Sequence, residues 1–188
     1  ISRLMYFRYP ILCILVFAVM CFHTVNGQWV GDFWEHSAVA RELATHMLHP
    51  GHPQLLLDAP HAFYSPYALA VAILVRWLNL DVITALSVMG LINLVLFFLG
   101  LRLFIFSIAP KHGNATAFYA LLLTLCWWGN TPWRYSGFFH FDVLGFILPY
   151  PSTCAAALTL IALGLNRLRI EGKRRILLVP LFLIAVTV

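Results

Sequence analysis

Long apolar runs separated by short polar breaks organise this chain. Positions 6–25 and 82–110 each contain a single charge, Arg8 and Arg102 respectively. Runs of this length meet the requirement of about 20 apolar residues for crossing a hydrocarbon core roughly 30 Å thick. Further apolar runs occupy 115–128 and 151–165, and another begins at 176. The pattern predicts an all-α, polytopic transmembrane helix bundle. A cleaved signal peptide alone does not account for it, because several such runs follow the first. The chain opens on Ile1 and stops at Val188 inside an apolar run. A longer protein with a C-terminal continuation is therefore expected.

The run at 67–80 is the ambiguous one. It is interrupted by Arg76, and at 1.5 Å per residue it reaches only about 21 Å. Charge placement arbitrates. If 67–80 returns to the side it came from, Arg3, Arg8, Arg102, Lys111 and the cluster from Arg167 to Arg175 share one side. Six of the seven acids then lie on the other. That arrangement obeys the positive-inside bias, and a full crossing inverts it. The expectation is a helix dipping into the outer interface, with 26–65 and the aromatic connector 129–150 extracytoplasmic.

Within 26–65 the period changes. Val39, Leu43 and Met47 recur at spacing four, as do Ala40, Ala44 and Leu48, while Glu35, Glu42, Thr45 and His46 face away. This predicts an amphipathic helix over 33–48, lying in the interface plane and ended by Pro50, Gly51 and Pro53.

Composition removes other classes. Hydrophobic residues make up 62% and charged residues 10%, against roughly 45–50% and 25% in soluble domains, so the central runs do not form a soluble globule. The net charge of +5 does not indicate nucleic acid. Five basic residues fall between Arg167 and Arg175, directly after an apolar run, where cytoplasmic anchors belong. Cys13, Cys21, Cys126 and Cys154 lie in or beside apolar runs and read as small core residues.

Candidate chemistry gathers in 26–65, which holds five of the eight histidines and four of the seven acids. Asp32, in GDFWEHSAVARELA, has two readings. Ahead of a helix, with Glu35 three positions on, it forms a capping-box-like pair. Held at a membrane surface, it is a carboxylate able to accept a proton from an acceptor hydroxyl. Asp58 is a second loop carboxylate, of the kind that ordinarily sits in a solvated turn. His46, His49 and His52 recur at spacing three, but the Pro and Gly among them deny a shared helical face for a metal. In the connector, Trp133, Tyr135 and Tyr150 belong to an interfacial aromatic belt or line a sugar-binding cleft. Asp142 is placed to pair with Arg134 or His140.

The 26–65 segment resembles the first extracytoplasmic loop of the GT-C glycosyltransferases, membrane enzymes that use lipid-linked sugars. Members that modify lipid A with aminoarabinose or mannosylate proteins carry a motif of the form D-E-x-x-Y-A-x-x-A-R-x-M/L after the first crossing. Asp32, Ala38, Ala40, Arg41 and Leu43 fit that outline; Glu35 and His36 depart from it. The string from His61 to Leu69, with Tyr64 and Pro66, stands where those members carry an aromatic and proline segment, with one proline instead of two. A long crossing ending in basic residues then follows, as 82–111 does here.

The resemblance implies inverting transfer of a sugar from a polyprenyl-phosphate donor to a glycan, lipid or protein acceptor, with Asp32 as base. Glu35, His61, Tyr64, Arg76, Arg134 and His140 are the implied substrate-binding side chains. The cationic and hydrogen-bonding groups among them would face the lipid phosphate that leaves. For Arg76 and Arg134 the competing role is snorkelling to headgroups, and for His61 and His140 it is local backbone capping. Some members hold a divalent cation near the loop carboxylates, which would make Asp32 and Glu35 ligands; the residues themselves name no cofactor. The implied setting is a bacterial inner (plasma) membrane, with membrane lipid and the lipid-linked donor as partners and no nucleic acid. Two other classes compete. A transporter or flippase of lipid-linked sugars would favour polar residues buried mid-membrane, where Asn93 and Thr124 are the clear cases. A non-catalytic assembly subunit would need none of these polar loop residues.

Overall fold

A computed structural model describes residues 2–27, 31–55, 59–61, 63–126, 139–168 and 178–187. Among the described residues the fold is entirely helical. The helices are α1 (Ser2–Asn26), α2 (Phe33–Thr45), α3 (Pro66–Leu78), α4 (Val82–Ile108), α5 (Gly113–Cys126), α6 (Phe141–Ile147), α7 (Pro151–Arg167) and α8 (Leu178–Thr187).

Two stretches, Phe7–Asn26 in α1 and Val82–Ile108, are long and apolar enough to cross a membrane. A third candidate is the pair α6 and α7, bent by 107° at the break between them. The run at 115–128, expected to cross, forms only the 14-residue α5 within its described part. That is about 21 Å of helix up to Cys126, where this described stretch ends. The connector 129–150 is also not simply a connector. Its described part contains α6, whose Val143, Leu144, Gly145 and Ile147 are buried. The aromatic residues there masked a helical turn with an inward apolar face.

α4 and α7 form the axis of the bundle, and their contact depends on small residues. A Cβ added to Gly100 would stand 2.8 Å from the Ala157 carbonyl oxygen, and one on Gly164 would stand 2.9 Å from Leu103 and the Phe104 amide nitrogen. Between helices in lipid, attraction comes from close van der Waals packing rather than from removal of water, so backbone approach of this kind is what holds the pair together. Around this axis Tyr9, Val16 and Met20 of α1 meet Leu94, Phe97, Phe98, Leu101 and Ile105 of α4, with Leu121 and Leu125 of α5. Tyr9 donates its hydroxyl to the Phe98 carbonyl at 2.5 Å, tying α1 to α4.

The bend between α6 and α7 frees carbonyls that a continuous helix would use. Three consecutive ones are taken by side chains. Thr153 donates to Ile147 (2.6 Å), Asn93 to Leu148 (2.8 Å) and Tyr67 to Pro149 (2.6 Å). Asn93 also donates to the Tyr67 hydroxyl at 3.1 Å. Broken backbone at membrane depth requires such satisfaction from neighbouring helices.

α2 and α3 cover the end of the bundle where α4 begins. Phe33, Ala40, Tyr67 and Val71 pack on Val82, Ala85 and Leu86 of α4 and Cys154 of α7. Val39 and Leu43 of α2 meet Ala68 and Ala72 of α3, with Ala44 and Met47 partly buried beside them. This is the apolar stripe read at spacing four. α3 begins as the sequence dictates: Ser65 accepts the Ala68 amide at 3.2 Å and Pro66 takes the first helical position. It ends at Asn79, whose φ of 51° is a left-handed cap. Asp81 caps α4 by accepting the Thr84 amide at 3.0 Å.

Candidate functional site

The start of α2 departs from the expected capping box. Asp32 has helical backbone angles (φ −66°, ψ −5°) and its side chain makes no capping bond. A true N-cap residue is extended, which swings its side chain back over the first turn; helical angles at Asp32 turn the carboxylate outward instead. The Tyr150 hydroxyl, arriving from the α6–α7 break, lies near the backbone of Phe33 and Asp32. Gly31, at φ 65°, makes the turn, and a Cβ there would lie 3.8 Å from that hydroxyl. The Asp32 carboxylate is exposed, at a helix start that the Tyr150 hydroxyl approaches from another part of the chain.

One turn on, His36 lies against Tyr150 with ring centroids 5.0 Å apart. Burial lowers its pKa, with the charges of Asp32 and Glu35 acting in the opposite direction. The neutral imidazole is therefore the favoured form, one that both donates and accepts. His36 forms one wall of a cavity of about 220 Å³ with Ala40, Phe63, Tyr64, Tyr67 and Leu86. That volume is below the roughly 300 Å³ floor of ordinary ligand clefts, so it admits a group of about one ring, not a whole lipid-linked sugar.

His61 stands edge-on to Tyr64 at 6.3 Å between centroids. Its Nδ1 accepts the Phe63 amide at 3.2 Å, and its Nε2 is buried without a hydrogen-bond partner among the described residues. Burial lowers the His61 pKa; the Val39 backbone and the Glu42 charge oppose that shift. Glu42 organises the segment after α2. Its Oε1 accepts the Gly51 amide at 2.9 Å and lies 3.0 Å from His46 Nδ1. These bonds hold its pKa below the usual glutamate value, the Gly51 amide first and His46 second. They also end α2 at Thr45, earlier than Pro50 and Gly51 suggested.

The structure therefore brings Asp32, Glu35, His36, His61 and Tyr64 to the α2–α3 layer, around or beside one cavity. It separates Arg76 from them. Ser65 and Arg76 stand at opposite ends of α3, about 16 Å apart along the axis, and Arg76 lines a different basin with His46 and His49. His140 is also apart: it precedes α6, is 6% exposed, and its Nε2 has no hydrogen-bond partner among the described residues. Asp142 is exposed and makes no ion pair with His140. Asp58, Trp133, Arg134 and Tyr135 lie outside the described residues.

Among the described residues no three His, Cys, Asp or Glu side chains are grouped to hold a metal ion. Asp32 and Glu35 have no third such partner there. Of the histidines at spacing three, His46 serves Glu42, and His52 accepts the Gln54 amide at 3.2 Å. The approach of Tyr150 to the start of α2 was beyond sequence reasoning, since nothing local marks a contact made across more than a hundred residues. His36 had a signal, its i, i+4 spacing from Asp32. Comparison with protein-family models, with curated proteins and with solved structures gave no match.

Proposed function

We propose that this chain belongs to a membrane glycosyltransferase of the GT-C type, transferring a sugar from a polyprenyl-phosphate donor to an extracytoplasmic acceptor. The observation that carries the reading is Asp32: an exposed carboxylate released from capping, one turn from His36 on the wall of an aromatic cavity. In this reading Asp32 takes the proton of the acceptor hydroxyl. The resulting oxygen attacks the anomeric carbon from the face opposite the lipid phosphate. The bond between that carbon and the phosphate oxygen breaks, the phosphate departs with the electron pair, and configuration inverts. Tyr64, Phe63 and the neutral His36 supply stacking faces and hydrogen bonds for one sugar ring, while Glu35 and His61 flank the approach. Arg76 stands too far along α3 to face the same phosphate.

The α6–α7 break favours a second reading, a transporter of lipid-linked sugars, because such proteins bind substrate at discontinuous helices. Against it stands the state of the break: Thr153, Asn93 and Tyr67 already occupy its carbonyls.

The test is Asp32→Asn in membranes supplied with a labelled polyprenyl-phosphate sugar. Turnover falls by about 10²–10⁴-fold, the weight of a general base, while donor binding persists. Undiminished transfer rejects Asp32 as the base. Transbilayer movement of the donor without transfer to any acceptor supports the transporter instead.

A further inference from the structure

The ends of α2 and α3 farthest from the cavity form a second surface. Arg76, His46 and His49 line a shallow basin of about 260 Å³ there. Arg76 is exposed and has no ion pair among the described residues. An arginine in the last turn complements the α3 dipole, which is an ordinary reason to find one at that place. It does not account for the neighbours. Leu48 is 86% exposed, Trp77 78% exposed and Leu78 59% exposed. Soluble surfaces scatter such residues singly. Here Leu48 shares the basin with Arg76, and Trp77 and Leu78 follow it at the end of α3, directly before the point where the 27-residue apolar α4 begins.

We propose that this basin is a binding site for the phosphate of an anionic phospholipid at the membrane–water interface. Tryptophan and arginine at the mouth of a crossing sit at headgroup level, the indole in the apolar boundary and the guanidinium on phosphate. Leu48 and Leu78 extend the apolar contact to the acyl side. His49 adds an imidazole beside Arg76, while His46 Nδ1 is engaged with Glu42. The two acids nearby are already engaged: Glu42 holds the Gly51 amide and His46, and Asp81 caps α4. Neither forms an ion pair with Arg76. The site is independent of the transferase reading, since it shares no residue with the cavity at the other end of α3.

The experiment titrates the full chain in mild detergent with phosphatidylglycerol or phosphatidylcholine and follows retained lipid by native mass spectrometry. Phosphatidylglycerol is retained more tightly. Arg76→Gln weakens it about five-fold, the weight of one basic residue at an anionic surface, and Arg76→Lys keeps most of the preference. Trp77→Ala lowers retention of both lipids without changing their ratio. Equal retention of the two lipids by the unaltered protein overturns the proposal, as does an unchanged ratio in Arg76→Gln. Inorganic phosphate in large excess distinguishes the source of the anion. Displacement of phosphatidylglycerol by phosphate alone marks a soluble-anion site and overturns the lipid assignment.

Discussion

Inside the bundle, Asn93, Tyr67 and Thr153 spend their donors on three consecutive carbonyls at the α6–α7 break. On the α2–α3 layer, Asp32, Glu35 and Tyr64 are exposed, and the Asp32 side chain makes no capping bond. The contrast follows from solvent. An unmet carbonyl among apolar helices costs several kcal/mol, so polar side chains there are committed to backbone. At the water boundary the same cost vanishes, and a carboxylate is free to meet a substrate. The two regions meet at Tyr67, whose hydroxyl closes the break and whose ring lines the cavity.

The largest effect that would break this contrast is on activity. If the loop carboxylate serves chemistry alone, Asp32→Asn removes about 10²–10⁴-fold of transfer and leaves thermal unfolding in detergent within about 0.5 kcal/mol of the parent, as exposed substitutions do. A large loss of stability would show instead that Asp32 belongs to the scaffold, and the division between the regions would fail.

Asn93→Leu tests the other side. It is fully buried and donates to both Leu148 and Tyr67. Its loss leaves the Leu148 carbonyl unmet, at a cost of about 1–3 kcal/mol. The melting temperature should fall accordingly, and a unit-size change in transfer should follow only as far as Tyr67 shifts. A variant as stable as the parent would mean that the break satisfies itself without α4.

Tyr67→Phe is the milder version. It removes one hydroxyl from Pro149 and keeps the ring against the cavity, for a loss of about 0.5–1.5 kcal/mol. Because ring and hydroxyl serve different regions, Tyr67→Phe should lower stability with little effect on donor binding. Tyr67→Ala should impair both. Equal effects of the two substitutions on donor binding would merge the regions that the comparison separates.

Local patterns carried much of this fold. The runs at 6–25 and 82–110 became α1 and α4 within a few residues, and Ser65–Pro66 set the start of α3. The stripe of Val39, Leu43, Ala40 and Ala44 chose the buried face of α2. Each depends on neighbours close in sequence. What escaped depends on distant ones. α6 was hidden among aromatics suited to either a belt or a core. Asp-x-x-Glu left two readings of Asp32 open, and its helical backbone angles, without a side-chain capping bond, depart from the capping one. Of the candidate residues, motif order brought Asp32, His61 and Tyr64 to one layer, whereas the separation of Arg76 from them needed the length and direction of α3.

The smallest effect concerns Glu42, a polar residue in the water-facing region that nevertheless behaves like those inside. Its carboxylate is committed to the Gly51 amide and His46, folding 46–51 back on α2. Its pKa is lowered in the fold from a value of 4.5. A depressed carboxylate pKa means that the contribution is complete above pH 4.5 and is lost as acid carries the pH down through the folded value. With the Glu42 side chain 26% exposed and His46 more so, solvent screens the interaction, which is worth about 0.5–1 kcal/mol. Hydrogen exchange at the Gly51 amide is the direct reading, because the opening is local rather than global. In the parent, protection at Gly51 should weaken below pH 4.5 beyond the intrinsic change in exchange rate. In Glu42→Gln the amide oxygen keeps an acceptor in place but carries no titrating charge, so that extra loss should disappear. An identical acid response in both proteins would place the bond outside the forces that shape this loop, and would leave Pro50 and Pro53 as the only cause of the turn.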